Sequence, residues 1–409
     1  MRALTTGWDS FLADELARRH EAALLRTLRS FERDGAWVVT EDGRRLLNLS
    51  SNDYLGLASH PAVIEAAAQA AQRGGGSTSA RLVVGTDLAY RELEARLADF
   101  QGTEAALVFG SGYLANVGTI AALVGRGDAV FSDRLNHASI VDGCRLSRAT
   151  IHRYGHCDVD ELETMLRDAG PGRKLIVTES VFSMDGDVAP LGEIAELKER
   201  YGAALLVDEA HADGVFGPRG EGMAHELGVA DRVDLHLGTF GKAFGAYGAY
   251  VAGQEVWIRY LVNAARSFVF TTGLPPAVVG AVGAALELVQ AADEPRRRLL
   301  SHAARFREGL AALGVDTGAS TTQIVPAVLG ESDAALQLAA ALEEAGVLAV
   351  AIRPPTVPAG AARVRFSLSA LHGNDEVAHA IQAVQLTSAR PPRPPGLPAP
   401  SWSAPGRRG

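Results

Sequence analysis

Residues 174–208, KLIVTESVFSMDGDVAPLGEIAELKERYGAALLVD, read as a strand, a loop, a helix and a second strand. KLIVTES and AALLVD are short apolar runs, and AELKER between them is a charged helix face. Two strands joined through a helix pair in parallel, and their helices cover the sheet. The pattern repeats outward. AALVF and DAVFS precede this unit, VDLHLG and AYVAG follow it, and helical stretches separate most of the runs. From Pro61 onward the alternation predicts an α/β fold with a mostly parallel central sheet in a large domain.

The flanks differ. Phe11, Leu12, Leu16, Leu24, Leu25 and Leu28 recur near helical spacing, which predicts a helix from about Asp9 to Phe31. AWVVT and RLLNLS follow as strands joined by an Asp42-Gly43 turn. Past the large domain, helices at 276–292 and 296–313 lead to a smaller C-terminal α/β domain. Its strands are QIVPAVL, VLAVAI and RVRFSLS, with helices at about 332–345 and 375–386. The division is 1–55 for the N-terminal helix and hairpin, 56–285 for the large domain, 286–389 for the small one and 390–409 for a tail. That tail holds seven prolines and is expected to be disordered.

Composition excludes several classes. The formal net charge is −9, so the surface repels phosphate backbones and no nucleic-acid partner is expected. Neither of the two cysteines, Cys144 and Cys157, lies in a CxxC pair, which fits a reduced, cytoplasmic setting without a disulfide framework. The first residues show no apolar signal-peptide core, and no apolar run reaches the ~18 residues of a membrane span. Of 39 basic residues only Lys174, Lys198 and Lys242 are lysines. Chemistry needing a primary amine has three candidate positions.

Lys198 belongs to the AELKER face and is read as a solvated surface residue, and Lys174 as the exposed start of its strand. Lys242 lies in Gly238-Thr239-Phe240-Gly241-Lys242-Ala243-Phe244-Gly245, a small-residue loop after VDLHLG. Buried there, it can lose its proton and act as a nucleophile; an ordinary loop lysine is the alternative. In Leu206-Val207-Asp208-Glu209-Ala210-His211 a strand ends in a carboxylate with an imidazole three residues on. Ligands bind at that edge of a parallel sheet. A satisfied strand-end Asp with a surface His is the plainer reading. The DEAH spelling is no helicase box, because no G-x-x-x-x-G-K-[ST] accompanies it. A metal site is not expected, since no second His or Cys falls at ligand spacing.

Gly110-Ser111-Gly112-Tyr113-Leu114-Ala115 opens a helix after AALVF, where backbone N–H groups can hold a phosphate. It also fits G-x-G-x-x-A, with Asp133 ending the next strand, so a nicotinamide-dependent oxidoreductase is a competing possibility. Asn136-His137-Ala138-Ser139 follows DAVFS, and His137 could lie flat on an aromatic cofactor or simply face solvent.

In order along the chain, SNDYLGL, FGSGYLAN, NHAS, TESVFSMDGDVAPL, VDEAH, GTFGKAFG, TTGLPP and AIRPPTVPAG resemble the α-oxoamine synthases, fold-type-I enzymes that depend on pyridoxal 5'-phosphate (PLP). The resemblance covers roughly residues 8–388, and AIRPPTVPAG points to the branch serving biotin synthesis. It implies that Lys242 carries PLP as a Schiff base, that Asp208 pairs with the ring nitrogen, and that His137 stacks on the ring. Ser183 and His211 would bond near the ring oxygen. Ser111, Gly112, Tyr113 and Thr239 would hold the phosphate, with Thr271 and Thr272 reaching in from a second subunit of a homodimer. Glu179 completes the cofactor-binding set. Arg26, Asn52, His137, Thr356 and Arg365 would contact substrates, Arg365 taking the amino-acid carboxylate. The implied reaction condenses L-alanine with a pimeloyl thioester of CoA or an acyl carrier protein, releasing CO2. A sister synthase making another amino ketone is the nearest alternative within the family, and a binding subunit that has kept the fold but lost catalysis is the non-enzymatic one.

Three features depart from the family. Gly76-Ser77-Thr78-Ser79-Ala80-Arg81 is spaced differently, Tyr90 replaces a common histidine, and Asp213 puts a carboxylate where a small or apolar residue is usual. If Asp213 lines the acyl channel, it would repel a carboxyl-bearing chain.

Overall fold

The computed structural model describes residues 7–388, and the proline-rich tail at 390–409 lies outside them. Fourteen strands form three sheets among the described residues. A four-stranded sheet holds β1 (Phe31–Asp34), β2 (Trp37–Thr40), β3 (Arg45–Asn48) and, far along the chain, β12 (Val347–Leu348). The central sheet contains β4 (Ala105–Phe109), β5 (Ala129–Asp133), β6 (Thr150–Tyr154), β7 (Lys174–Glu179), β8 (Ala204–Asp208), β9 (Leu235–Thr239) and β10 (Ala249–Gly253). Their spatial order is β4-β10-β9-β8-β7-β5-β6. Three strands, β11 (Ile324–Gly330), β14 (Ala362–Ser367) and β13 (Val350–Ile352), make the third sheet.

The central sheet is parallel except for β10, which runs antiparallel to both β4 and β9. Burial on both faces explains its continuous apolar strands. In β8, Leu205 and Val207 enter one core cluster while Leu206 enters the opposite one. Helix Gly112–Leu123 packs on the second face, and helices Val159–Asp168, Leu191–Tyr201 and Pro276–Gln290 cover the first. No single described helix is long and apolar enough to cross a membrane.

Because β4, β5, β7, β8 and β9 share a direction, Phe109, Asp133, Glu179, Asp208 and Thr239 all end at one edge. The loops that leave that edge carry Ser111, His137, Ser183, His211 and Lys242.

Several expectations need correction. The first helix spans only Gly7–Glu21, not Asp9 to Phe31. Ala23 turns to φ 56°, and Leu24 N–H donates 2.8 Å to Arg19 O, a left-handed closure that ends the helix. No residue of this helix is buried, so no packing draws it further. Two edge strands were not anticipated: β1, which is nearly all charged, and β6, whose TIHRY sequence carries little apolar signal. VLAVAI is not one strand but two, β12 joining β3 in parallel and β13 joining β14. Lys198 is not solvated. Its Nζ donates to Arg232 O at 3.0 Å and to Asp234 Oδ1 at 2.9 Å, tying its helix to the start of β9.

Candidate active site

Lys242 sits on the turn that follows β9. Gly245 closes that turn at φ 62°, its N–H donating 2.9 Å to Lys242 O. A Cβ there would lie 2.2 Å from Ala58 N, so only glycine allows the turn to pack against the start of the chain. Burial lowers Lys242 to a pKa of about 8, although the charges of Asp208 and Glu179 oppose the shift. An amine so placed is partly neutral at physiological pH.

A chain of hydrogen bonds orients it. Lys242 Nζ lies 2.8 Å from His211 Nε2, and His211 Nδ1 lies 2.6 Å from the Tyr54 hydroxyl, which contacts Asn52 Oδ1 at 3.2 Å. With the ammonium as donor to Nε2, His211 carries its proton on Nδ1, and Tyr54 then donates to Asn52. His211 is fully buried, and burial together with the Lys242 and Arg365 charges holds its pKa well below the ordinary value. It is therefore neutral.

Asp208 ends β8 and is buried. Its Oδ2 accepts from Asn116 Nδ2 at 2.7 Å and its Oδ1 from Ala210 N–H at 3.0 Å. Asn116 also donates to Ser139 Oγ at 3.0 Å, linking Asp208 to the helix that begins after His137. His137 caps that helix: Nδ1 accepts from Ser139 N–H at 3.2 Å and lies 2.8 Å from Ser139 Oγ. Surrounding protein desolvates its ring and keeps it neutral, while the residue remains accessible from the solvent side. Glu179 accepts from the N–H groups of His137 at 2.6 Å and Ser183 at 3.2 Å. Burial, then the Asp208 charge, raises Glu179 to about 8.

Ser111 caps helix Gly112–Leu123, its Oγ accepting from Leu114 N–H at 3.2 Å. The first turn faces Thr239, whose Oγ1 would lie 3.8 Å from a Cβ on Gly112. Tyr113 is exposed and donates 2.7 Å to Asp142. Thr271 and Thr272 line a small depression with Arg81, Tyr90 and Gly110.

Arg365 on β14 is buried, yet no carboxylate binds it among the described residues. It donates to Ser183 O at 2.6 Å, to Asn52 Oδ1 at 3.2 Å from both Nη atoms, and to Tyr54 at 3.4 Å. A buried guanidinium satisfied only by neutral acceptors is a ready site for an external anion. Its neighbour Arg363, by contrast, is neutralised by Asp185. At the surface, Arg26 reaches Thr356 Oγ1 at 3.4 Å, and Arg353 holds the carbonyls of Ala23 and Leu25.

Asp213 lies sealed in the core, where a Cβ on Gly238 would come within 2.2 Å of its Oδ2 and 2.3 Å of Tyr250. Burial raises its pKa well above the carboxylate range, so it is a neutral packing group. Tyr90 is buried, bonded to Leu274 O at 3.2 Å and stacked under Arg81. The fingerprint Asp133 is not free for a ribose, because Leu135 N–H, Cys157 N–H and His156 occupy it. Asn116 and Tyr54 were missed as site residues, although both stand inside the FGSGYLAN and SNDYLGL strings. A separate cavity of about 490 Å³ lies at the opposite strand ends, near Lys174, Ala204 and Trp257, and shares no residue with this site.

The residues fit PLP. A depressed lysine amine, a fixed carboxylate for a ring cation, an accessible neutral imidazole and a serine-capped helix start beside Thr239 supply its four recognition needs.

Comparisons with known proteins agree. The family described as aminotransferase class I and II matches residues 44–384. An 8-amino-7-oxononanoate synthase of Anaeromyxobacter sp. (strain K) is 55% identical over 364 residues, 88% of this chain and 90% of that protein. A structure of SPT with PLP superposes at a TM-score of 0.88 with 33% identity, covering 95% of this chain and 98% of the other. The 8-amino-7-oxononanoate synthase of Francisella tularensis superposes at 0.73 with 28% identity, covering 84% and 98%.

Proposed function

Because the chain belongs to the class I and II aminotransferase family, among the 8-amino-7-oxononanoate synthases, we propose that it condenses L-alanine with a pimeloyl thioester. The products are 8-amino-7-oxononanoate, CO2 and the free thiol of CoA or a carrier protein. It is a PLP-dependent acyltransferase. PLP, when bound, supplies an electron sink for a carbanion at the amino-acid Cα.

The observation that carries the substrate assignment is Arg365. Its buried, acid-free guanidinium takes the alanine carboxylate, with Asn52 and Tyr54 setting its plane. Lys242 moves the Cα proton, being partly neutral near pH 7. Asp208, fixed by Asn116, holds a proton on the cofactor nitrogen, and neutral His211 relays between Lys242 and Tyr54. His137 would crowd the face of the cofactor ring, which favours a small amino acid. Arg26 and Thr356 mark the acyl entrance, and Asp213 lies too deep in the core to repel a terminal carboxyl there.

A homodimer supports this site. Leu82, Val83, Val84 and Phe270 form exposed apolar surface flanking Thr271 and Thr272, which would reach the phosphate of a second copy. The two free cysteines and the reaction suit the cytoplasm. The chain divides at residues 55, 285 and 389, with the N-terminal hairpin docked through β12 onto the smaller domain.

The test is product mass from a panel of acyl-CoA thioesters with alanine and glycine. Alanine with pimeloyl-CoA should give the highest efficiency. Some glycine use is expected, because one methyl discriminates by only ~1–3 kcal/mol. Preference for acetyl-CoA with glycine would overturn the assignment.

A further inference from the structure

His156 touches the site described above only through Asp133. It follows β6, and its ring makes two short contacts. Nδ1 is 3.1 Å from Asp133 Oδ1, and Nε2 is 2.6 Å from Asp187 Oδ2. Its edge meets the Phe182 ring at a centroid distance of 4.4 Å. Both partners are carboxylates, so both nitrogens must carry hydrogen, and the ring is an imidazolium. Cys157 Sγ approaches at 3.8 Å, but with neither nitrogen lone pair free the group cannot ligate a metal.

Each carboxylate shapes a loop that builds the site, Asp133 from the end of β5 and Asp187 from within a hairpin. The Asp133 carboxylate accepts from Leu135 N–H at 2.8 Å and its carbonyl accepts from Asn136 N–H, shaping the turn that presents His137. Asp187 closes the tight hairpin 181–188, where Phe182 N–H bonds Asp187 O at 3.0 Å and Val181 pairs with Val188. That hairpin presents Ser183, whose carbonyl anchors Arg365 at 2.6 Å. The second oxygen of Asp187 is buried with no hydrogen-bond partner among the described residues, so His156 is the charge it answers to.

We propose that His156 is a positioning residue: its cationic ring staples the His137 loop to the Ser183 hairpin, fixing the PLP face and the Arg365 anchor in one register. It rests on the reading that PLP and an amino-acid carboxylate occupy this site. Burial alone would lower the His156 pKa, but the hydrogen bonds to Asp133 and Asp187 push it up to about 12. Asp133 faces it from β5 and Asp187 from the hairpin, while Cys157 stands on its own segment. Arg134 and Glu161 lie farther out around Gly155. The staple therefore stays charged wherever the enzyme works.

Asp187→Asn keeps the shape but removes one carboxylate. His156 should then lose its proton within about pH 7–9. PLP affinity is measured by fluorescence titration of cofactor-free protein, variant against wild type, from about pH 6 to about pH 9. The affinity ratio should stay near one at the acid end and fall about fivefold to tenfold at the alkaline end, the sign expected when the charged ring is the working form. His156→Gln, neutral at every pH, should show the alkaline value throughout. An affinity ratio flat with pH in Asp187→Asn, or wild-type PLP affinity in His156→Gln, overturns the proposal, including when the melting temperature falls uniformly. KM for L-alanine is followed in parallel. If wild-type protein binds PLP but turns over no amino acid, the reaction assignment fails while the affinity arm still decides the role of His156.

Discussion

Asn116→Ala removes the one side chain that hydrogen-bonds Asp208 among the described residues. Its Nδ2 sits 2.7 Å from Asp208 Oδ2, a neutral donor to a buried carboxylate. Such a bond contributes ~1.5–3 kcal/mol, and each 1.4 kcal/mol is a factor of about ten. Losing it weakens the anionic form of Asp208, so kcat/KM for alanine should fall by about tenfold to a hundredfold, with PLP affinity falling in step. Thiol release measured with a chromogenic disulfide reads the first, and fluorescence titration the second. Asn116→Asp should do more damage, because it replaces the donor to Asp208 with a like charge at the same distance. Melting curves separate these losses from unfolding, as the Ser139 bond also goes. Asn116→Ala with PLP affinity unchanged and kcat/KM within about twofold would show that Asp208 needs no support, and the electrostatic account of the site would fail.

Covalent capture of PLP by the cofactor-free protein should quicken with rising pH, reach half its maximum near the Lys242 pKa of about 8 and level off about one unit higher, and Lys242→Ala should abolish capture and turnover. A rate insensitive to pH between about 6 and 9 would contradict the depressed amine. Arg365→Ala should lower kcat/KM for alanine by about a hundredfold, ~3 kcal/mol for two charged contacts, mostly through KM. An unchanged KM would move the carboxylate elsewhere. Val83→Glu with Val84→Glu should give monomers by light scattering and little activity. Full activity from a monomer would remove Thr271 and Thr272 from the site.

The central sheet was legible because its strands are buried on both faces. AALLVD needs no partner to reveal itself, whereas TIHRY and FERD, at sheet edges, carry no such signature. The N-terminal helix was overread because periodicity in Leu24, Leu25 and Leu28 outlasted any surface to pack against. Arg365 came only with the family resemblance, whereas Lys242 and Asp208 stood out by residue type and by motif. Asn116 and His156 did not, since what matters about each is a partner 92 or 31 residues away that only the sheet brings close. Asp213 was misjudged for the same reason: its sequence position beside VDEAH said nothing about which way the chain turned it.

The parallel pairing of β12 with β3 has a consequence for synthesis. Leu47 N–H bonds Gly346 O and Leu49 N–H bonds Leu348 O, so the first hairpin finds its fourth strand only after nearly the whole chain has left the ribosome. At ~5–20 residues per second, that edge waits roughly 15–60 s unpaired. An open strand edge templates intermolecular association during that interval. A nascent chain stalled before Val347 carries a finished large sheet and an unfinished hairpin, so the ribosome-bound intermediate, rather than the mature enzyme, is the species in which the N-terminal segment is exposed to chaperones and proteases.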